Sequence, residues 1–292
     1  GGAVSAARGE IHDTTPVEPS AGESEGQRRL SGAHAHWVFA AALAFCAFQI
    51  YNAAFSPLAS QVLRSVHVGF LVLLAFALYP LLRGTPERRV PWYDWTLAGA
   101  GFVLGLYHWV FLAELIQRSG EPSPLDIAVG SVVVVLVFEA TRRVMGWGLP
   151  IVCAVFLAYG MFGQYLPWGF AHRGYGFDQI VNQLFLGTEG IYGTPTLVSA
   201  TYIFLFILFG SLLEQAGMIR FFNDVALGLV GQQRGGPGKV SVISSALMGT
   251  ISGSGVANVV MGGHFTINLM KRFGYRAEFA GAVEATSSMG GQ

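Results

Sequence analysis

The chain has 292 residues, 52% of them hydrophobic and only 12% charged, with 17 basic side chains balancing 17 acidic ones. Soluble globular proteins carry about 25% charged residues, so this chain has too few charges to coat a water-facing surface, and a soluble fold is excluded. Zero net charge, with no cluster of Lys and Arg among aromatic residues, leaves no electrostatic footprint for nucleic acid.

Residues 1–36 are rich in Gly, Ala, Ser, Pro and Glu and lack apolar periodicity, so they read as a disordered cytoplasmic tail. They do not read as a signal peptide, because the first apolar run starts only at Trp37 and no small-residue cleavage site follows it. A bilayer core about 30 Å thick needs about 20 apolar residues at 1.5 Å per residue. Six runs meet or approach that length. The first is Trp37 to Phe55, the second Val66 to Leu82, and the third Trp95 to about Ile116, with His108 inside it and Glu114 near its end. The fourth, about Leu125 to Ala140, is short and bounded by Asp126 and Glu139; the fifth is Trp147 to Leu166 and the sixth Ile191 to Leu213. Ser131 to Phe138 and Tyr202 to Phe209 are rich in β-branched and aromatic residues, but run length and the lack of turn signals predict helices. Cys46 and Cys153 lie in separate apolar runs without metal or redox spacing and read as small packing residues.

Lys and Arg orient the spans. With a cytoplasmic N-terminus, the inner loops carry Arg83, Arg88, Arg89, Arg142, Arg143, Arg220, Arg234, Lys239, Lys271, Arg272 and Arg276, and the outer loops only Arg64, Arg118 and Arg173. Adding or deleting a span before Arg142 would place basic clusters on both sides. Trp37, Trp92, Trp95, Trp147 and Trp168 fall near span ends, where interfacial anchors belong.

After the sixth span, Ile219 to Val230 places Phe222, Val225, Ala226 and Leu229 at helical spacing, with Arg220, Asn223 and Asp224 elsewhere. This predicts a helix lying along the cytoplasmic interface, with an extension of the sixth helix as the alternative. The stretch from Val240 to Met270 contains no Asp, Glu, Lys or Arg, while Lys239 and Lys271-Arg272 flank it. Two crossings with a turn need about 40 residues, more than this stretch holds, and one straight helix would leave its basic ends on opposite faces. A re-entrant hairpin of two half-helices satisfies both length and charge. Its middle, Gly249 to Asn258, is rich in glycine and hydroxyls. Broken backbone at membrane depth is tolerated when buried in protein or lining a cavity, where carbonyl, hydroxyl and amide oxygens are hard ligands for a small cation. The candidate ion and substrate site therefore comprises Thr250, Ser252, Gly253, Ser254, Gly255 and Asn258, with Ser252, Ser254 and Asn258 as candidate Na+ ligands. Close helix packing through small residues is the competing account of the same composition.

Gly249 to Val260, Phe265 to Arg272 and Gly274 to Ala285 resemble the permease of tripartite ATP-independent periplasmic (TRAP) transporters, and Leu186 to Gly193 and Glu139 to Val144 resemble its branch with fused small and large membrane subunits. That resemblance implies sodium-driven uptake of organic acids across the bacterial inner membrane, delivered by a periplasmic binding protein of the TAXI class. It also implies an elevator motion of a transport domain against a scaffold, with Ser252, Ser254 and Asn258 facing ion and substrate. The expected fold is all-α and membrane-embedded, with about six spanning helices. Its division is a tail (1–36), small-subunit-like scaffold helices (37–168), the start of a large-subunit-like domain with the interfacial helix (169–239), the re-entrant hairpin (240–270) and the start of a further helix (271–292). Gly255, Asn268 and His264 depart from the residues the family usually places there. The chain stops at Gly290-Gly291-Gln292, mid-helix in the family pattern, so it reads as an N-terminal fragment lacking the second half of the site.

Among isolated polar residues, His108 reads as an interhelical hydrogen-bonding group, Glu114 as solvated, Glu214 as a helix-end contact, His264 as packing, and Glu284 as a helix-end or scaffold contact that also qualifies for a place near the site. An intramembrane serine hydrolase using Ser254 and His264 is the enzymatic alternative, but no third orienting group is visible and no enzyme is expected. A channel would need charged rings that the sequence lacks, and the hairpin argues against a non-transporting scaffold subunit.

Overall fold

Among the described residues the regular structure is helical throughout, as a backbone in lipid requires, since a helix satisfies its amides and carbonyls within one segment. The computed structural model describes residues 27–28, 30–56, 58–81, 89–118, 120–167, 169, 171–252 and 255–290. Two compact units divide it, one within Ala21–Leu205 and one within Phe206–Gln292.

The first unit holds α1 (Ala33–Phe55), α2 (Ser60–Leu78), α3 (Trp92–Gly105), the short α4 (Tyr107–Val110) and α5 (Leu112–Gln117), α6 (Pro124–Met145), α7 (Gly148–Phe162), α8 (Phe177–Val181) and α9 (Thr194–Val198). π-helical turns follow the last two, at Asn182–Leu186 and Ser199–Ile203. Five stretches are long and apolar enough to cross a membrane: Ala33–Phe55, Ser60–Leu78, Pro124–Met145, Gly148–Tyr165 and Thr194–Leu213. They coincide with five of the six expected runs. The third run differs, being broken into α3, α4 and α5 rather than forming one helix. The breaks turn the Tyr107 hydroxyl onto the buried Asp126 carboxyl and seat His108 edge-on against Phe185 and Tyr192, with ring centroids 4.8 and 4.9 Å apart. His108 is therefore packed among aromatic rings of the segment that follows α8. Asp126 also closes a capping box: Ser123 N donates to its carboxyl at 2.8 Å and the Ser123 hydroxyl accepts from Asp126 N at 3.2 Å.

Small residues set the closest helix approach. Gly101 and Gly105 are four apart on α3, and a β-carbon on Gly105 would lie 2.8 Å from the Gly69 Cα of α2, so only glycine permits this crossing. At Gly101 a β-carbon would collide with Val72. Farther along α2, His67 joins Gln49 of α1 and the Ser199 hydroxyl (3.1 Å), a polar chain tying three segments together.

The opposite end of this unit is locked by charge. Arg143 on α6 donates to Asp94 at 2.7 Å and to Glu139 at 2.7 Å, Arg142 pairs with Glu139 at 2.7 Å, and Arg28 pairs with Asp94 from the other side. Arg28 also donates to the Phe76 carbonyl at 2.9 Å, near the C-terminal end of α2, and Arg143 lies over the Phe76 ring at 4.7 Å. The expected disordered tail is corrected at its end: Arg28 is buried and α1 begins at Ala33, because Asp94 supplies a buried partner that composition alone does not reveal. The basic residues Arg29, Arg83 and Arg88, and Trp168, lie outside the described residues. Trp37, Trp92 and Trp147 are exposed at helix ends, as interfacial anchors should be.

Removing one partner of a buried charge cluster leaves the others uncompensated, at a cost of about 3–5 kcal/mol. Asp94→Ala, which removes the carboxylate shared by the buried Arg28 and Arg143, should lower the thermal unfolding midpoint in detergent well below that of Glu114→Ala, whose carboxyl is exposed. Equal midpoints for the two variants would show that the Asp94 cluster does not hold this unit together.

Candidate functional site

The second unit begins within α10 (Phe204–Gln215) and continues through α11 (Met218–Val230), α12 (Gly236–Ser252), α13 (Gly255–Arg272) and α14 (Ala277–Gly290). Gly217 separates α10 from α11 with φ of +87°, so α11 is a helix of its own and not an extension of the sixth span. Its inward side is Asn223, Ala226, Leu227 and Val230, packed with Val240, Ile243, Phe265 and Leu269. Leu229 faces out instead, and Asn223 turns in because the Ser244 hydroxyl of α12 meets its side-chain oxygen.

Helices α12 and α13 pack side by side; residues 253–254, between them in the glycine- and serine-rich stretch, lie outside the described residues. From Val240 to Ser252 the uncharged part of α12 is about 20 Å long, and the corresponding part of α13 about 24 Å, both short of a 30 Å core. Lys271 and Arg272 close α13, where cations oppose the helix dipole.

The expected site residues separate. Gly253 and Ser254 lie outside the described residues, as does the side chain of Ser252, the last residue of α12. Thr250 is exposed and donates to the Leu247 carbonyl of its own helix at 2.6 Å. Gly255 is buried as the first residue of α13. Asn258 is fully buried; its amide nitrogen donates across to the Ser245 carbonyl of α12 at 2.9 Å, while its Oδ1 has no partner among the described residues. An unpaired buried carbonyl oxygen costs about 1–3 kcal/mol and calls for an explanation.

The centre of the unit is Glu284, placed in the sequence reading chiefly among helix-end or scaffold contacts. It is fully buried on α14. Its carboxyl accepts hydrogen bonds from Ser241 at 2.6 Å and Ser245 at 3.1 Å on α12, Thr266 at 2.5 Å on α13, and Ser288 at 3.3 Å on its own helix. Ser241 and Ser245 are four apart, so both point from one face of α12. Gly262 and Gly263 make room on α13: a β-carbon on Gly263 would meet Glu284 Cγ at 3.3 Å. The position of a β-carbon on Gly262 lies 3.1 Å from Glu284 Oε1 and 3.8 Å from Asn258 Oδ1, so two side-chain oxygens border the same small space. The sequence signal was present but diffuse: serines at 241, 244 and 245, paired glycines at 262–263, and one acid in an otherwise uncharged helix interior. The side chains of His264 and Glu214 lie outside those described.

With one carboxyl collecting hydroxyls from three helices, Glu284→Ala should lower the unfolding midpoint more than Glu284→Gln, which keeps an acceptor oxygen; each hydroxyl left without a partner costs about 1–3 kcal/mol. Identical midpoints for both variants and the parent chain would exclude Glu284 as the anchor.

The family described as the DctM component of tripartite ATP-independent periplasmic transporters matches residues 132–292, more than half of the chain. Among curated proteins, a protein of Haemophilus influenzae described as a TRAP transporter large permease is 36% identical over 70 residues, covering 24% of this chain and 16% of that one. The C4-dicarboxylate TRAP transporter large permease protein DctM of Rhodobacter capsulatus is 32% identical over 110 residues, covering 38% of this chain and 23% of that one. The chain thus spans less than a quarter of either relative. No solved structure matches it.

Proposed function

This chain belongs to the family of the DctM component of tripartite ATP-independent periplasmic transporters, and we propose that it forms part of a sodium-coupled permease that takes up organic acids. Membership makes it a multi-pass membrane transporter component. The finer reading has its main support in Asn258, a fully buried amide whose oxygen lacks a partner beside an interrupted pair of helices. A small cation prefers such hard oxygen ligands, and Glu284 Oε1 borders the same space. Sodium then enters from the tip at residues 253–254, where Ser252 and Ser254 add oxygens, and an organic anion follows at the start of α13, drawn by the positive end of the helix.

In this reading α12 and α13 form a re-entrant hairpin whose basic ends, Lys239 and Lys271-Arg272, share the cytoplasmic side of the bacterial inner membrane with the N-terminus. The Glu284 hydrogen bonds tie the hairpin to α14, suited to move together as part of a transport domain while the helices of residues 37–168 serve as the small-subunit-like scaffold. A periplasmic binding protein of the TAXI class delivers the substrate. The relative from Rhodobacter capsulatus carries C4-dicarboxylate in its name, which favours carboxylic acids of that kind here. No step of this cycle uses covalent chemistry at Ser254, so the protein is not an enzyme in this account.

Uptake of a radiolabelled dicarboxylate into vesicles holding the whole permease and its binding protein should rise with external sodium. Asn258→Ala and Ser254→Ala should each shift the half-saturating sodium concentration upward, by about tenfold if one ligand is lost. Sodium-independent uptake by the parent protein would reject the coupling ion; a sodium curve unmoved in both variants would remove these residues from the site.

A further inference from the structure

A second polar place lies in the Ala21–Leu205 unit, away from any residue used above. After α7 the chain folds back against the end of that helix. The His172 backbone amide donates to the Gly163 carbonyl at 3.2 Å, the Tyr175 amide donates to the Gly160 carbonyl at 3.0 Å, and the His172 ring bridges the Tyr159 carbonyl (3.0 Å) and the Gly174 amide (3.1 Å). A β-carbon on Gly163 would collide with the His172 ring, so glycine is what lets the loop seat. The clamp fixes Arg173 between two well-held neighbours, with its guanidinium over the Tyr175 ring at 5.3 Å. No carboxylate pairs with Arg173 among the described residues.

Arg173 lines a cavity of about 550 Å³, within the roughly 300–1,000 Å³ of small-ligand sites. The cavity's lining combines an apolar set, Phe156 and Leu157 of α7 with Ile180 of α8, and a polar set, Arg173, Asn182 and Gln183. Asn182 and Gln183 begin the π-helical turn, a geometry that recurs at functional sites. The apolar set is continuous with the outer surface of α7, a spanning helix that buries only Pro150 and exposes Val152, Val155 and Phe156. An occupant whose polar end meets Arg173 and whose apolar end runs along that surface is an amphiphile. The exposed tyrosines at 159, 165 and 175 put this end of the helix at the membrane–water boundary.

We propose that this cavity is a binding site for an anionic phospholipid, with the Arg173 guanidinium on the headgroup phosphate, the Asn182 and Gln183 side chains on its remaining oxygens, and the acyl chain along Phe156 and Leu157. The unpaired guanidinium selects an anion and gives forked hydrogen bonds to phosphate. The lipid-facing wall selects against a free organic acid, which would leave apolar surface bare. A segment of a soluble partner protein would have to displace lipid from α7 to reach the same wall.

The test uses the full chain in a non-ionic detergent, with lipid retention read by native mass spectrometry after addition of phosphatidylglycerol or phosphatidylcholine. The parent chain should retain one phosphatidylglycerol more strongly than phosphatidylcholine. Arg173→Gln should weaken that retention about tenfold, the equivalent of one charge-assisted hydrogen bond, and Arg173→Lys should restore part of it. Gly160→Leu, which crowds Ile180 across the cavity floor, should weaken retention while leaving Arg173 in place. Arg173 is exposed, so its variants should keep the parental melting midpoint, which is measured alongside. Equal retention of both lipids by the parent, undiminished retention in a folded Arg173→Gln chain, or displacement of the lipid by inorganic phosphate alone would each overturn the proposal. In the last case the site would be one for small anions.

Discussion

A polar group carried into hydrocarbon has no water to return to, and in this chain that constraint decides where helices bend and which side chains meet. Two carboxyl groups without exposed surface show the two ways of meeting it. Asp94 sits between two guanidinium groups, each on a different segment, and the ion pairs fix the ends of α2, α3 and α6. Glu284 has no basic partner among the described residues and is surrounded by hydroxyls from three helices. Buried ion pairs are directional and costly to break. Hydroxyl rotors adjust to small shifts of the acceptor and tolerate local rearrangement better. The first arrangement fixes helix ends, and the second joins three helices around one acceptor.

The Glu284 network also positions the candidate site. Ser245 contributes twice, its hydroxyl to Glu284 and its carbonyl to the Asn258 amide. The orientation of Asn258 is thus set by the same residue that anchors the carboxyl, and its oxygen is left aimed into the space at Gly262. A ligand atom held by packed helices is more precisely placed than one on a loop.

Much of this was legible in the residues. Length, low charge and apolar run length gave the membrane class and five spanning stretches, because those quantities act through transfer free energy and need no knowledge of neighbours. What remained hidden depended on partners distant in sequence. Arg28 is an ordinary tail residue until Asp94, far along the chain, is known to face it. The third run is apolar enough for one helix; only the placement of Asp126 and Phe185 explains why Tyr107 and His108 turn aside. Asn223 reads as a solvent-facing residue of an amphipathic helix, and Ser244 reverses that. Glu284 was visible as an unusual acid, but its significance comes from four hydroxyls on three helices, each unremarked by itself.

Glycine is the sharpest case of one letter with two meanings. In the sequence, the run from Gly249 to Gly255 signals unwinding; α12 is described to Ser252 and α13 from Gly255, and the two residues between lie outside those described. Gly249 nevertheless lies buried inside α12, and Gly262 and Gly263 lie inside α13 without breaking it. There the missing side chain is used for space, to admit the Glu284 carboxyl, just as Gly105 admits the backbone of α2. Conformational freedom is used instead at Gly217 and Gly274, where φ is +87° and +86° and two helices part. Nearby charge separates the two roles: Gly262 and Gly263 lie in a charge-free run and mark a close approach, whereas Gly217 and Gly274, close to Arg220 and to Lys271-Arg272, mark helix ends. Water explains the difference, since the carbonyls freed by a turn are solvated at a charged helix end and would be stranded inside the membrane. Between α12 and α13 the two signals meet in the sequence, glycines and hydroxyls within an uncharged stretch, and on the proposed reading that directs a search for a bound ion to this place before any other in the chain.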